Sequence, residues 1–116
     1  MKIKEHILMM VITLTMLTPR AGVNWFNDGL TIHKETYYNL NMKKVVANAA
    51  SNGIPGFYWE REDGMKMYGA YIMVAANHSK HPYGSTVLTS RGPGIVLDTG
   101  SFAKGNPEQY DLAVTW

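Results

Sequence analysis

The 116 residues are 46% apolar and 17% charged, with 11 Gly, 5 Pro and no Cys, a composition that suits one small globular domain and excludes repeat arrays, collagen and multidomain enzymes. Eleven basic against nine acidic side chains leave a net charge of +2, too little for the dense basic stripe that phosphate neutralisation needs, so nucleic acid is not an expected partner. The absence of Cys removes disulfides, thiolate nucleophiles and Cys-ligated zinc; chemistry must come from carboxylates, hydroxyls, His or Lys.

Residues 1–22 differ in composition from the rest. Lys2 and Lys4 precede an apolar run over residues 7–17, broken only by Thr13 and Thr15, and then Thr18-Pro19-Arg20-Ala21-Gly22. A basic start, a short apolar stretch and a small-residue exit outline a secretory signal peptide. The run spans only about half a hydrocarbon core, so a stable membrane span is not expected. A buried strand or helix of the domain is the competing reading of this run. Export implies a mature domain of residues 23–116 with 8 positive and 8 negative side chains, secreted or associated with the cell wall.

Residues 23–34 read as an extended arm with a turn at Asn27-Asp28-Gly29, and residues 35–40 as the first strand. Asn41 is placed to cap a helix in which Met42, Val45, Val46, Ala49 and Ala50 share one face; Asn52-Gly53 ends it. Beyond it lie short β-type runs at 57–60, 65–68, 70–75, 86–89, 94–97 and 111–116. They are cut at Glu62-Asp63-Gly64, Pro82-Tyr83-Gly84 and Arg91-Gly92-Pro93-Gly94. Short strands and one or two short helices predict a mainly β protein, a small barrel whose closure removes exposed edges.

The sharpest local feature is Ile95-Val96-Leu97-Asp98-Thr99-Gly100-Ser101, an apolar strand that delivers a carboxylate onto a tight turn. Asp-Thr-Gly-Ser resembles the aspartic proteases. Those need two such carboxylates and a long stretch of fold after the motif, whereas only 18 residues follow Asp98. A second resemblance covers more. Val74-Ala75-Ala76-Asn77, Pro82-Tyr83-Gly84-Ser85, Asp98-Thr99-Gly100, Ala103-Lys104-Gly105-Asn106 and Tyr110-Asp111-Leu112 occur in the order of the three-aspartate (3D) domain family. That family includes the C-terminal part of MltA-type lytic transglycosylases and the stationary-phase-survival muralytic proteins of Firmicutes. Glu35-Thr36-Tyr37-Tyr38 is similar to the strand that opens the same domain; residues 41–70 carry little of the resemblance.

The resemblance implies a six-stranded double-psi β-barrel. It also implies cleavage of the β-1,4 bond between N-acetylmuramic acid and N-acetylglucosamine in peptidoglycan, with a 1,6-anhydro product and no cofactor. Two of the three family aspartates match, as Asp98 and Asp111, while the first is Asn77. Asp111 is then the acid/base and Asp98 its electrostatic and hydrogen-bonding partner, with Asn77, Thr99 and Lys104 against the substrate. Ser101 replaces the second Gly of the family turn, and would be strained by roughly 1–2 kcal/mol if that position keeps a positive φ. The alternatives are a non-catalytic glycan-binding module of the same fold, favoured by Asn77, and an intracellular or phage-encoded version if residues 1–22 stay attached.

Three weaker candidates complete the list. His78 and His81 would form a metal pair only if a third ligand such as His33 converged on them, so no metal site is assigned. Tyr58, Trp59, Tyr68 and Tyr71 could stack on sugars but at this spacing read as core. Glu60-Arg61-Glu62-Asp63 reads as a solvated turn, with its carboxylates in reserve as acids.

Overall fold

The structure, a computed structural model, describes residues 22–116, so the predicted leader lies outside the described residues apart from Gly22. The expected arm is a hairpin: β1 (Asn24–Asn27) pairs antiparallel with β2 (Ile32–Tyr38). Its turn is built by two consecutive carbonyl-type side chains. Asn27 Oδ1 accepts from the Gly29 amide at 2.8 Å, and Asp28 Oδ1 accepts from the Leu30 and Thr31 amides at 2.9 and 2.8 Å.

Helix α1 (Lys43–Ser51) buries Met42 and Ala49, and Val45 and Val46 pack partly against the same core, whereas Ala50 is exposed. Asn41 Oδ1 accepts from the Lys43 amide at 2.9 Å, one residue ahead of the geometric cap Met42. The helix stops at Gly53, whose φ of +77° lets the chain fold back: the Gly53 amide donates to Ala50 O and the Ile54 amide to Ala49 O, both at 3.0 Å.

The remaining elements are β3 (Tyr58–Glu60), β4 (Lys66–Tyr68), β5 (Tyr71–Ala75), β6 (Thr86–Thr89), β7 (Gly92–Asp98), the short helix α2 (Phe102–Gly105) and β8 (Tyr110–Ala113). The described residues are thus mainly β with two short helices. The expected break at 91–94 is tighter than the sequence indicates: the β6–β7 pairing runs up to Thr89↔Gly92, so Gly92-Pro93-Gly94 opens β7.

The eight strands of the described residues belong to one sheet, ordered β1-β2-β8-β5-β4-β3, with β7 on β5 and β6 outside β7. Strand β5 takes three partners. It pairs antiparallel with β4 at Tyr71 and Ile72 and with β8 at Val74 and Ala75, and parallel with β7 along its length. Since a strand has two edges, β4 and β8 follow one another along one of them and β7 lines the other. The sheet therefore branches at β5. It has eight strands where six were expected, and it is not closed into a barrel. Among the described residues no helix is long and apolar enough to cross a membrane.

The two faces carry separate apolar clusters. Met65, Met67, Ile72, Val74, Val96, Leu112 and Val114 pack on one side, and Met42, Ala49, Tyr68, Met73, Ile95, Leu97 and Ala113 on the other. Because β5 is covered on both faces, Ile72, Met73 and Val74 form a continuous buried run rather than an alternating one. Beside them Gly94 is packed so closely that a Cβ there would lie 2.7 Å from Val74 Cγ2 and 3.2 Å from Ile72 O. Gly94→Ala is expected to destabilise the fold by about 1–3 kcal/mol through overpacking. A lowered urea midpoint with an unchanged slope is the measurement that checks it.

Candidate acid/base site

Asp98 and Asp111 come together through an irregularity in β7. Val74 pairs with Val96, but the next residue, Ala75, pairs with Asp98, so Leu97 is one residue too many on β7. In a regular strand Asp98 would share the face of Val96, opposite to Leu97. The bulge reverses this and sets Asp98 beside Ala75. On its other edge Ala75 pairs with Asp111. The two aspartates thus flank one alanine on the same face, two strand spacings apart, about 9–10 Å between backbones.

Each carboxylate has a hydroxyl donor from β2. Thr36, paired with Asp111 in the parallel β2–β8 ladder, donates through Oγ1 to Asp111 Oδ1 at 2.8 Å. Gln109, almost fully buried, donates from Nε2 to the same Thr36 Oγ1 at 2.7 Å, which leaves the threonine proton directed at Asp111. Two residues along, Tyr38 donates from its OH to Asp98 Oδ2 at 3.1 Å, and the Thr99 amide donates to Asp98 Oδ1 at 2.9 Å.

The surroundings of Asp111 favour its protonated form. Burial raises the Asp111 pKa above the ordinary 3.8; the Thr36 hydrogen bond opposes this, and the nearby charge of Asp98 adds to it. Tyr38 is raised too, by burial first and then by the charge of Asp98, so its phenol stays a donor. Asp111 is the group disposed to hold a proton.

The other sequence candidates are distributed unevenly. Thr99 is exposed beside Asp98, and Lys104 is exposed on α2. Asn77 is engaged at both ends of its amide: Oδ1 accepts from the Ser79 and Lys80 amides at 2.8 and 3.0 Å, and Nδ2 donates to Ala103 O at 3.1 Å. It organises the loop after β5 and ties it to α2. Ser101 sits at φ −62° and ψ −26° as the cap of α2, so the anticipated strain is absent and the turn has a different shape. His78 leaves the other histidines, with Nε2 3.0 Å from the Asp98 carbonyl.

Glu60 to Asp63 is not a plain solvated turn. Arg61 donates to both Asp63 oxygens at 2.9 Å and to Arg91 O at 2.9 Å, which pins the β6–β7 turn. Burial pushes Asp63 up, but the hydrogen bonds and charge of Arg61 outweigh it and hold the carboxyl below its usual range. Asp63 is therefore a poor acid. Tyr68 is buried with its OH on Ile54 O, whereas Trp59 is 38% exposed. A cavity of about 480 Å³ lies elsewhere, lined by Met42, Val46, Tyr58, Glu60 and Lys66 among others, and includes neither aspartate.

Thr36, Tyr38 and Gln109 were not among the expected site residues. The Thr-x-Tyr pattern of residues 36–38, set two apart so that both project from one face of a strand, was the available signal. No family model, curated protein or solved structure matches the chain.

A carboxyl whose pKa is raised on folding contributes fully below its unfolded value, and that contribution is lost as pH rises through the folded value. Asp111→Asn keeps an acceptor for Thr36 and removes the titration. The variant is expected to match or exceed the parent chain in stability at pH 7, with the difference shrinking on acidification towards pH 4. Urea midpoints across that range test this; an Asn variant clearly less stable at neutral pH would show that the ionised form is favourably paired.

Proposed function

We propose that this chain is an exported, 3D-type protein that acts on peptidoglycan as a lytic transglycosylase, with Asp111 as the acid/base. The observation that carries this reading is the pair of carboxylates flanking Ala75 on one face, one of them with its pKa raised by burial and by the other's charge. Two parallel pairings between non-consecutive strands, β2 with β8 and β5 with β7, support double-psi-like strand connections as part of the same proposal, in a sheet that stays open instead of closing into the barrel the resemblance implies.

The chemistry needs one residue to act twice. Protonated Asp111 gives its proton to the O4 leaving atom as the bond to muramic C1 breaks. The carboxylate then takes the proton of the muramic C6 hydroxyl, whose oxygen closes on C1 and yields the 1,6-anhydro ring. No water is consumed, so a second carboxyl group is not required to activate one, in contrast to ordinary glycosidases. Asp98, held by Tyr38 and the Thr99 amide, supplies negative charge that keeps Asp111 basic enough to cycle and that stabilises positive charge developing at C1. Asn77 in place of a third acid is compatible with this scheme because its amide serves the loop.

Incubation of the purified chain with peptidoglycan is expected to release 1,6-anhydromuropeptides, detected by mass spectrometry. Asp111→Asn should lower their rate by roughly 10²–10⁴-fold, the usual range for loss of an acid/base. Tyr38→Phe should cost less, since Asp98 keeps its backbone donor. Products with free reducing ends would replace the transglycosylase by a hydrolase. Retention on the glycan without products, unaffected by Asp111→Asn, would replace it by the binding module.

A further inference from the structure

A second polar cluster lies apart from the aspartates. His33, from the start of β2, is buried and stacks on Tyr110, with ring centroids 4.2 Å apart and planes 15° from parallel. His81, from the loop that Asn77 organises, meets Tyr110 edge-on at 5.1 Å. Glu108, just ahead of β8, places Oε1 3.3 Å from His81 Nε2 and 3.8 Å from His33 Nδ1. One donor atom from each of the three residues falls within a 4.8 Å cluster. Tyr110 and Asp111 are consecutive on β8 and so face opposite sides of the sheet, which separates this cluster from the acid/base pair.

The hydrogen bonding in the cluster is incomplete. His33 Nε2 lies 2.8 Å from Asp28 Oδ2, a carboxylate that can only accept from it. Asp28 is itself held by the Leu30 and Thr31 amides through its other oxygen, Oδ1. His33 Nε2 also lies 3.3 Å from the Tyr110 hydroxyl, and His33 Nδ1 lies 2.8 Å from the Glu108 carbonyl oxygen. His81 Nε2, by contrast, is a buried nitrogen that makes no hydrogen bond although it lies 3.3 Å from the Glu108 carboxylate. A cation bound among the three residues gives that nitrogen a partner, with the Glu108 carbonyl moving off His33 Nδ1 or joining the ligand set.

We propose that His33, His81 and Glu108 form a divalent-metal site, with Asp28 as the carboxylate that orients His33 from behind. Two imidazole nitrogens and one carboxylate oxygen are a donor set suited to Zn²⁺, with a fourth position left for water. Tetrahedral ligands on zinc stand about 3.3 Å apart. The His81–Glu108 spacing already meets this value; the 3.8 Å His33–Glu108 spacing closes by a small movement of Glu108, whose side chain is 37% exposed, and the His33–His81 edge, within 4.8 Å, closes by a shift of the His81 ring. A carboxylate that takes the far N–H of a ligating histidine is the usual outer partner of such sites. Lys80 contacts the other carboxylate oxygen, Oε2, at 3.4 Å and leaves Oε1 available. The ion would cross-link the β1–β2 hairpin, the loop after β5 and the segment before β8.

Titration of the chelator-treated full chain with ZnCl₂, followed by calorimetry and by melting temperature, tests the site. One equivalent is expected to bind and to raise the melting temperature by several degrees. Zinc-edge absorption should show two imidazoles and oxygen ligands. His81→Ala and Glu108→Gln, checked for folding by circular dichroism, should each weaken binding at least tenfold, while His78→Ala leaves it unchanged. Asp28→Asn should weaken it by about 10–100-fold. Absence of a saturable heat and of any melting shift, or zinc binding that survives both His81→Ala and Glu108→Gln in folded protein, overturns the proposal.

Discussion

The three-way pairing of β5 organises this molecule. One five-residue strand accepts β7 along one edge and shares the other between β4 and β8, so three separated stretches of chain are brought to one point. A strand so placed has no solvated face, and its residues from Ile72 to Ala75 are accordingly all buried and apolar. The position of Asp98 depends on the last step of that pairing. A single extra residue at Leu97 turns the carboxylate from the Val96 side of the sheet to the side where Tyr38 and Asp111 stand. Were the β5–β7 ladder regular to its end, the two acids would face away from each other.

Polar groups, rather than additional apolar area, hold the outer elements to this centre. Glu35 is fully buried on β2, yet its carboxylate receives the Ser90 amide at 2.9 Å, the Ser90 hydroxyl at 2.6 Å and Asn24 Nδ2 at 3.4 Å. A buried carboxylate is costly unless its lone pairs are engaged, and here the partners come from the β6–β7 turn and from β1. The Arg61–Asp63 pair secures the same turn from the other side through the Arg91 carbonyl. Hairpin β6–β7 is thereby anchored to β2 and to the loop between β3 and β4. That anchoring keeps β7, and with it Asp98, in register.

The two polar clusters treat their charges in opposite ways. At Asp111 a carboxylate is partly withdrawn from water beside a like charge and given a single hydroxyl donor, an arrangement that favours the proton and stores a modest instability at a place where chemistry can use it. At Asp28 a carboxylate receives two backbone amides and an imidazole, which favours the anion and fixes the ring it touches. Opposite pKa shifts on one residue type, within one small sheet, follow from burial, which dominates at Asp111, and from the backbone amides, which dominate at Asp28.

Much of the fold was legible along the chain because its signals are local. Paired Asn and Asp side chains mark the first turn, Gly53 marks the end of α1, and β-formers separated by Gly and Pro mark the strands. The order of motifs around Asp98 and Asp111 likewise marks both residues along the chain. The branch at β5, the eight-strand count and the open sheet were not legible, since they depend on which strands meet, and pairing partners leave no trace in local composition. The same holds for Gln109 and for which of His78 and His81 meets His33. Residue types and turns are written in the order of amino acids, whereas the facing of a side chain is decided by register, and a one-residue bulge, set by packing against strands distant in sequence, reverses it.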